Sequence, residues 1–184
     1  MFKNKKIIEE FINKYVERIK PKKGLNLWAT SKDPFTEKIS NKIYSKLLCI
    51  NEKDCKLLEK QFPKKISLGD PLDLIDDIDD QFDVLIGNFP LGMQPKEITV
   101  NNIKVKDSLG ELLIAKSIKN ISTKGKGIFV VRPSFFSIKR TNALADQITK
   151  LGGYIEAAIS IPSGSFKITN IPALILIVSR HKTD

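Results

Sequence analysis

The chain has 184 residues, 41% of them hydrophobic and 28% charged, with 31 Lys and Arg against 21 Asp and Glu. This suits one α/β domain with a sizeable core and excludes a disordered chain; two cysteines exclude a disulfide scaffold. A net charge of +10 fits a polyanionic partner, since Lys and Arg displace the counterions condensed on phosphates, and it fits a plain Lys-rich solvated surface equally well. Seven aspartates (70, 73, 76, 77, 79, 80 and 83) form an acidic segment that leaves 31 basic against 14 acidic residues elsewhere. Such a segment is expected to be solvated and to face away from nucleic acid.

In chain order, Ile7, Ile8, Phe11, Ile12, Tyr15, Val16 and Ile19 recur at spacings of three and four and predict an amphipathic helix that ends by Pro21. Residues 1–23 are thus expected to lead into one domain that spans 1–184. Leu25 to Ala29 is a short apolar run, and a helix is expected from about Thr36. Ser45–Ile50 reads as a strand, Glu52–Gln61 as a helix, Lys65–Leu68 as a strand and Asp83–Gly87 as a buried strand. Leu109–Ile121 has helical spacing, and Gly127–Val131 is another apolar strand. Thr141–Leu151 is a helix stopped by Gly152-Gly153, and the strands Tyr154–Ile161 and Ala173–Ser179 close the chain.

Short buried strands alternating with helices predict a mainly parallel, doubly wound Rossmann-like sheet. The last two strands are joined by about a dozen residues without helical periodicity, so that pair is expected to be antiparallel. Ligands of such sheets bind at the carboxyl ends of the strands. The longest apolar stretch, Ile171–Val178, is eight residues, too short to cross a membrane as a helix. Ile7-Ile8 runs into Glu9-Glu10, unlike a secretion signal, and a cytoplasmic setting is expected. The only histidine is His181, so Cys49 and Cys55 do not suggest a zinc site, and no metal is expected.

The stretch Phe82-Asp83-Val84-Leu85-Ile86-Gly87-Asn88-Phe89-Pro90-Leu91-Gly92 resembles the Asn-Pro-Pro-aromatic block of amino-methylating DNA methyltransferases. Glu111 on a helix, the strand Gly127–Val131 leading to Arg132-Pro133, Ile159–Phe166, and Thr169-Asn170-Ile171 before the last strand continue the likeness over roughly residues 65–180. The order is similar to the catalytic domain of N6-adenine methyltransferases related to type I restriction-modification methylases. The resemblance implies methyl transfer from S-adenosylmethionine to N6 of an extruded adenine in DNA. The adenine amine is a weak nucleophile, and two acceptors on its hydrogens would push its lone pair toward a methyl donor.

Carried over, Asn88 is the side-chain acceptor and the Phe89 carbonyl the backbone acceptor, with Pro90 and Leu91 completing the block. Asp70 matches the acidic position facing the cofactor's adenine, and Glu52 is the nearest candidate for its ribose hydroxyls. Trp28 and Thr30 border the methionine half. Arg132, Lys139 and Arg140 are candidate phosphate contacts. Most of these positions also have a plainer reading: Asn88-Phe89-Pro90-Leu91 can be an ordinary strand-to-loop exit, Asp70 before Pro71 can cap a helix, Glu52 and the basic residues can be solvated, and Trp28 can be core.

The chain departs from the family in three places. Phe89 replaces Pro, Leu91 replaces the stacking aromatic, and Leu25–Lys32 has no glycine where the family has a Gly-rich loop. Two alternatives follow. One is a decayed methyltransferase-fold module that binds nucleic acid or a partner subunit; the other is a methyltransferase for RNA or a protein glutamine. A specificity subunit or a separate target-recognition domain is expected to choose the DNA sequence.

Overall fold

The computed structural model describes residues 3–33, 35–36, 43–91, 94–136, 141–163 and 172–180, with side chains from residue 10 onward. Helix α1 (Lys3–Ile19) buries Ile12 and Val16, as its spacing predicts, and ends where Lys20 turns to a φ of 52° before Pro21. Strands β1 (Gly24–Asn26), β2 (Tyr44–Cys49), β3 (Ile66–Leu68) and β4 (Phe82–Asn88) pair in parallel. Helix α2 (Glu52–Glu59) follows β2, and the single turn α3 (Pro71–Leu74) follows β3.

After β4 the chain makes an antiparallel hairpin, β5 (Lys96–Val100) and β6 (Ile103–Asp107). Helix α4 (Leu109–Ser117) and a 3₁₀ turn then lead into β7 (Ile121–Val131), which lies parallel to β4. The short helix α5 (Leu144–Gln147) precedes β8 (Gly153–Ile161) and β9 (Ala173–Arg180). The seven-stranded sheet runs β3-β2-β1-β4-β7-β9-β8, with β9 antiparallel to both neighbours. The α/β class, the mainly parallel sheet and the antiparallel ending are those the sequence predicts.

The central strands carry continuous apolar runs, 84–86 in β4 and 128–131 in β7, because both faces are covered there. Leu25, Leu85 and Phe129 face one core layer with Leu112, Leu113 and Phe135. Val84, Ile86, Ile128 and Val130 face the other, with Ile12, Val16, Leu47 and Leu58. Alternation along β4 and β7 thus divides one apolar strand between two cores.

Three elements differ from expectation. The helix expected over Thr141–Leu151 is only α5, which turns within four residues. Strand β7 begins six residues before Gly127, with a register shift opposite Phe82/Val84. The β5–β6 hairpin is additional: Ile98, Val100, Ile103 and Val105 alternate about Asn101-Asn102, whose φ values of 49° and 64° suit a tight two-residue turn. The helix expected from about Thr36 lies mostly outside the described residues.

Candidate amine-recognition edge

Strands β1, β2, β3 and β4 deliver the candidate residues to one edge of the sheet. Asn88 is the last residue of β4 and stands in register with Val130 of β7. It is partly exposed, and its Nδ2 donates to Oδ1 of Asp33 at 3.0 Å. Among the described residues no group donates to its Oδ1.

Phe89, at the position of the family's first Pro, turns its ring back into the core, where it is 5% exposed. It meets Trp28 edge-on at 6.4 Å and stacks near Phe129 at 6.3 Å. The ring fits because Gly87 and Gly110 lie against it: a Cβ on Gly110 would come within 2.7 Å of the Phe89 side chain, and one on Gly87 closer still. A buried aromatic thus anchors the backbone after Asn88 where the family uses a proline ring. Pro90 is exposed, and Leu91 packs, half-buried, against the core layer that includes Ile12 and Val16.

The remaining candidates are distributed around this point. Trp28 is buried, and the Thr30 carbonyl accepts from the Asp33 amide at 3.2 Å. Glu52 opens α2, is exposed, and pairs with Lys56 at 3.8 Å. Asp70 caps α3, accepting from the Leu72 amide at 2.9 Å. Arg132 does not stand free for phosphate: it pairs with Asp107 at 3.1 Å and Glu111 at 3.4 Å, in a cluster that also ties the Ser108 hydroxyl to Glu111. Burial, and then the Asp107 carboxylate, push the Glu111 carboxyl above its ordinary range, with Arg132 opposing. Lys139 and Arg140 lie outside the described residues.

Two carboxylates that the sequence does not single out join the edge. Asp33 is 5% exposed and accepts from the Phe35 and Thr36 amides, the Thr36 hydroxyl and Asn88. Burial pushes its carboxyl above the ordinary range, and the bonds from Asn88 and Thr36 oppose that rise. An Asp before a Pro with Thr three residues on is a helix-capping signal that could have drawn attention to it. Asp54, in the first turn of α2, accepts the amide of Ser31 at 2.9 Å and its hydroxyl, and the Asn51 side chain at 2.8 Å. Burial would raise its carboxyl, but these bonds hold it below the ordinary range.

The topology, with the last strand inserted antiparallel between its two predecessors, is that of the Rossmann-like class I S-adenosylmethionine-dependent methyltransferases. Solved structures share it. A Listeria monocytogenes protein provisionally assigned to that class is 19% identical with a TM-score of 0.72, over 98% of this chain and 60% of its own. The EcoKI type I restriction enzyme M protein is 12% identical at a TM-score of 0.70, over 97% of this chain and 44% of its own. The methyltransferase subunit of a Streptococcus thermophilus type I restriction-modification system is 17% identical at 0.64, over 92% and 42%. This chain therefore spans about two-fifths to three-fifths of their lengths. No protein-family model and no curated protein matches the sequence.

Whether the edge fits S-adenosylmethionine differs between its halves. Ile50 and Leu68, at adjoining strand ends, are 41% and 45% exposed beside the carboxylates of Glu52 and Asp70, chemistry that suits a nucleoside. The methionine half does not fit. Leu27, Trp28 and Ala29 donate their amides to Ile86, Asn26 and Leu48, and Ser31, Asp33, Phe35 and Thr36 donate theirs to Asp54, Thr30 and Asp33. Where a Gly-rich loop would offer open backbone to a ligand carboxylate, the amides are engaged and Trp28, Ala29 and Asp33 are buried. Among the described residues 27–36, only the Thr30 and Lys32 amides have no such partner.

Proposed function

We propose that this chain is a DNA-adenine recognition module built on the methyltransferase fold, in which Asn88 accepts a hydrogen from the N6 amine of an extruded adenine. The pose of Asn88 supports the reading: its nitrogen is engaged by Asp33, and among the described residues nothing donates to its oxygen, which we assign to a ligand at the sheet edge. Adenine carries a donor at position 6, so an outward amide oxygen complements it, once the base has left the stack. The Phe89 carbonyl is the second acceptor, held by its buried ring. A net charge of +10 supports a phosphate backbone as the wider partner. Because the chain spans only part of the two restriction-modification proteins it is similar to, choice of DNA sequence falls to a specificity subunit or a further recognition domain.

A second reading is N6-adenine methyl transfer, as in restriction-modification methylases. The Asn88 acceptor and the exposed Ile50, Leu68, Glu52 and Asp70 group favour it; the engaged amides of residues 27–36 weigh against it. Fluorescence anisotropy on a duplex with one adenine opposite an abasic site tests the first reading. Replacing Asn88 by Ala should weaken binding roughly 2- to 10-fold, as expected for one hydrogen bond. Equal affinity in both proteins would refute the role of Asn88. Tritiated methyl incorporation assayed on DNA, RNA and protein is predicted to be absent; incorporation into DNA that Asn88→Ala abolishes would favour the second reading.

A further inference from the structure

Hydrogen-bond direction can be assigned along the segment that replaces the glycine loop, starting from a group with no choice. The Trp28 backbone N–H is only a donor, and it donates to Asn26 Oδ1 at 2.9 Å. This fixes the Asn26 amide, so its Nδ2 donates to Thr36 Oγ1 at 3.0 Å. The Thr36 hydroxyl therefore directs its own proton onward, to Asp33 Oδ2 at 2.8 Å. The same oxygen takes the Thr36 amide at 3.2 Å, and Asp33 Oδ1 takes the Phe35 amide at 3.3 Å. One acceptor position remains on Oδ1, and the Asn88 side chain fills it at 3.0 Å. Asn26 and Thr36 are 0% and 1% exposed, so water does not compete along this relay.

We infer that Asp33 is a positioning residue that sets the chemical sense of the edge: as an acceptor-only carboxylate it holds Asn88 with nitrogen inward and oxygen outward, selecting amines over carbonyls. The assignment rests on the adenine-recognition reading and adds to it a residue that reaches the base only through Asn88. An amide side chain is nearly symmetric in shape and opposite in sense at its two ends, so by itself Asn88 could serve adenine or its 6-keto analogue hypoxanthine. The turn that carries Asp33, 55 residues away in sequence, removes that ambiguity.

Two matched duplexes provide the test, one with adenine and one with hypoxanthine opposite an abasic site, titrated by fluorescence anisotropy. The unsubstituted protein should prefer adenine by about 5- to 150-fold, the range for one well-placed base contact. In Asp33→Asn, the new amide keeps its oxygen toward the two Thr36 donors, at 3.2 and 2.8 Å, and turns its nitrogen to Asn88, giving up the longer 3.3 Å bond from the Phe35 amide. Asn88 then reverses while the Phe89 carbonyl still accepts, and the adenine preference should fall by at least about fivefold. In the double variant Asp33→Asn/Asn88→Asp, the pair is exchanged, a carboxylate oxygen again faces outward, and the adenine preference should return.

A folded Asp33→Asn protein that keeps the full adenine preference of the unsubstituted protein would overturn the assignment while leaving the adenine reading in place. An unsubstituted protein that does not distinguish the duplexes would overturn the adenine reading itself. Should Asp33→Asn fail to fold, side-chain amide NMR of the unsubstituted protein decides: the Asn88 NH₂ should exchange more slowly with water than those of the exposed Asn101 and Asn102. Equal exchange rates would reject the bond to Asp33.

Discussion

Truncation of Phe89 to Ala tests how the backbone after Asn88 is held in place. The ring is 5% exposed and meets Trp28 at 6.4 Å and 76°, and Phe129 at 6.3 Å and 25°. Deleting a buried Phe costs about 3–5 kcal/mol in lost transfer energy and residual cavity. Two of the neighbours bounding that cavity are Gly87 and Gly110, which have no side chains to relax into it, so the cost should lie in the upper part of the range. For a domain of this length that is a fall in Tm of about 8–20 °C. Urea denaturation followed by circular dichroism gives the free energy, with Phe136→Ala as a control because Phe136 is 45% exposed. A loss below about 2 kcal/mol, or an equal loss in the control, would refute the argument that Phe89 is a buried anchor.

Three further outcomes are expected. Replacing Arg132 by Met leaves Asp107 and Glu111 buried without their guanidinium, and should cost about 3–5 kcal/mol in urea titrations while leaving the salt dependence of DNA binding unchanged; a shallower salt slope would mark Arg132 as a phosphate contact. Folding raises the Glu111 carboxyl above its ordinary range, so the folded protein binds the extra proton. Its contribution is complete below the unfolded pKa and is lost as pH rises through the folded one. Glu111→Gln should flatten that decline, and an unchanged slope of stability against pH would contradict it. Asn102→Val forces a β-branched residue to a φ of 64° and should cost about 1–2 kcal/mol, against a few tenths for Asn102→Gly, both read from denaturation midpoints.

The frame of the molecule is legible in the sequence because its signals are local. Apolar runs such as 83–87 and 127–131 mark buried strands, and the helix-free connection between the last two strands marks their antiparallel pairing. Asn88 is legible for the same reason, as the polar residue that ends an apolar run. The long-range pairings of buried carboxylates are not. Asp33 acts across 55 residues on Asn88, Asp54 across 23 on Ser31, and Asp107 across 25 on Arg132. Asp33 carries a local capping signal, but nothing in the sequence pairs it with Asn88, and tertiary pairing alone separates a buried acceptor from a solvated one. The β5–β6 hairpin is also written locally, in the alternation of Ile98, Val100, Ile103 and Val105 around Asn101-Asn102. The early end of α5 has no evident local signal beyond the weak helix formers around it.

On the proposed reading, Asn88 offers an acceptor to an adenine amine while the backbone that would cradle a methionine moiety is engaged inside the protein. Titrating the intact chain with S-adenosylmethionine while following Tm tests this most directly. The engaged amides of residues 27–36 predict no shift at millimolar cofactor. A working site at 100-fold excess over its Kd would add about 2.7 kcal/mol, or roughly 5–11 °C, and a rise of that size would overturn the proposed reading.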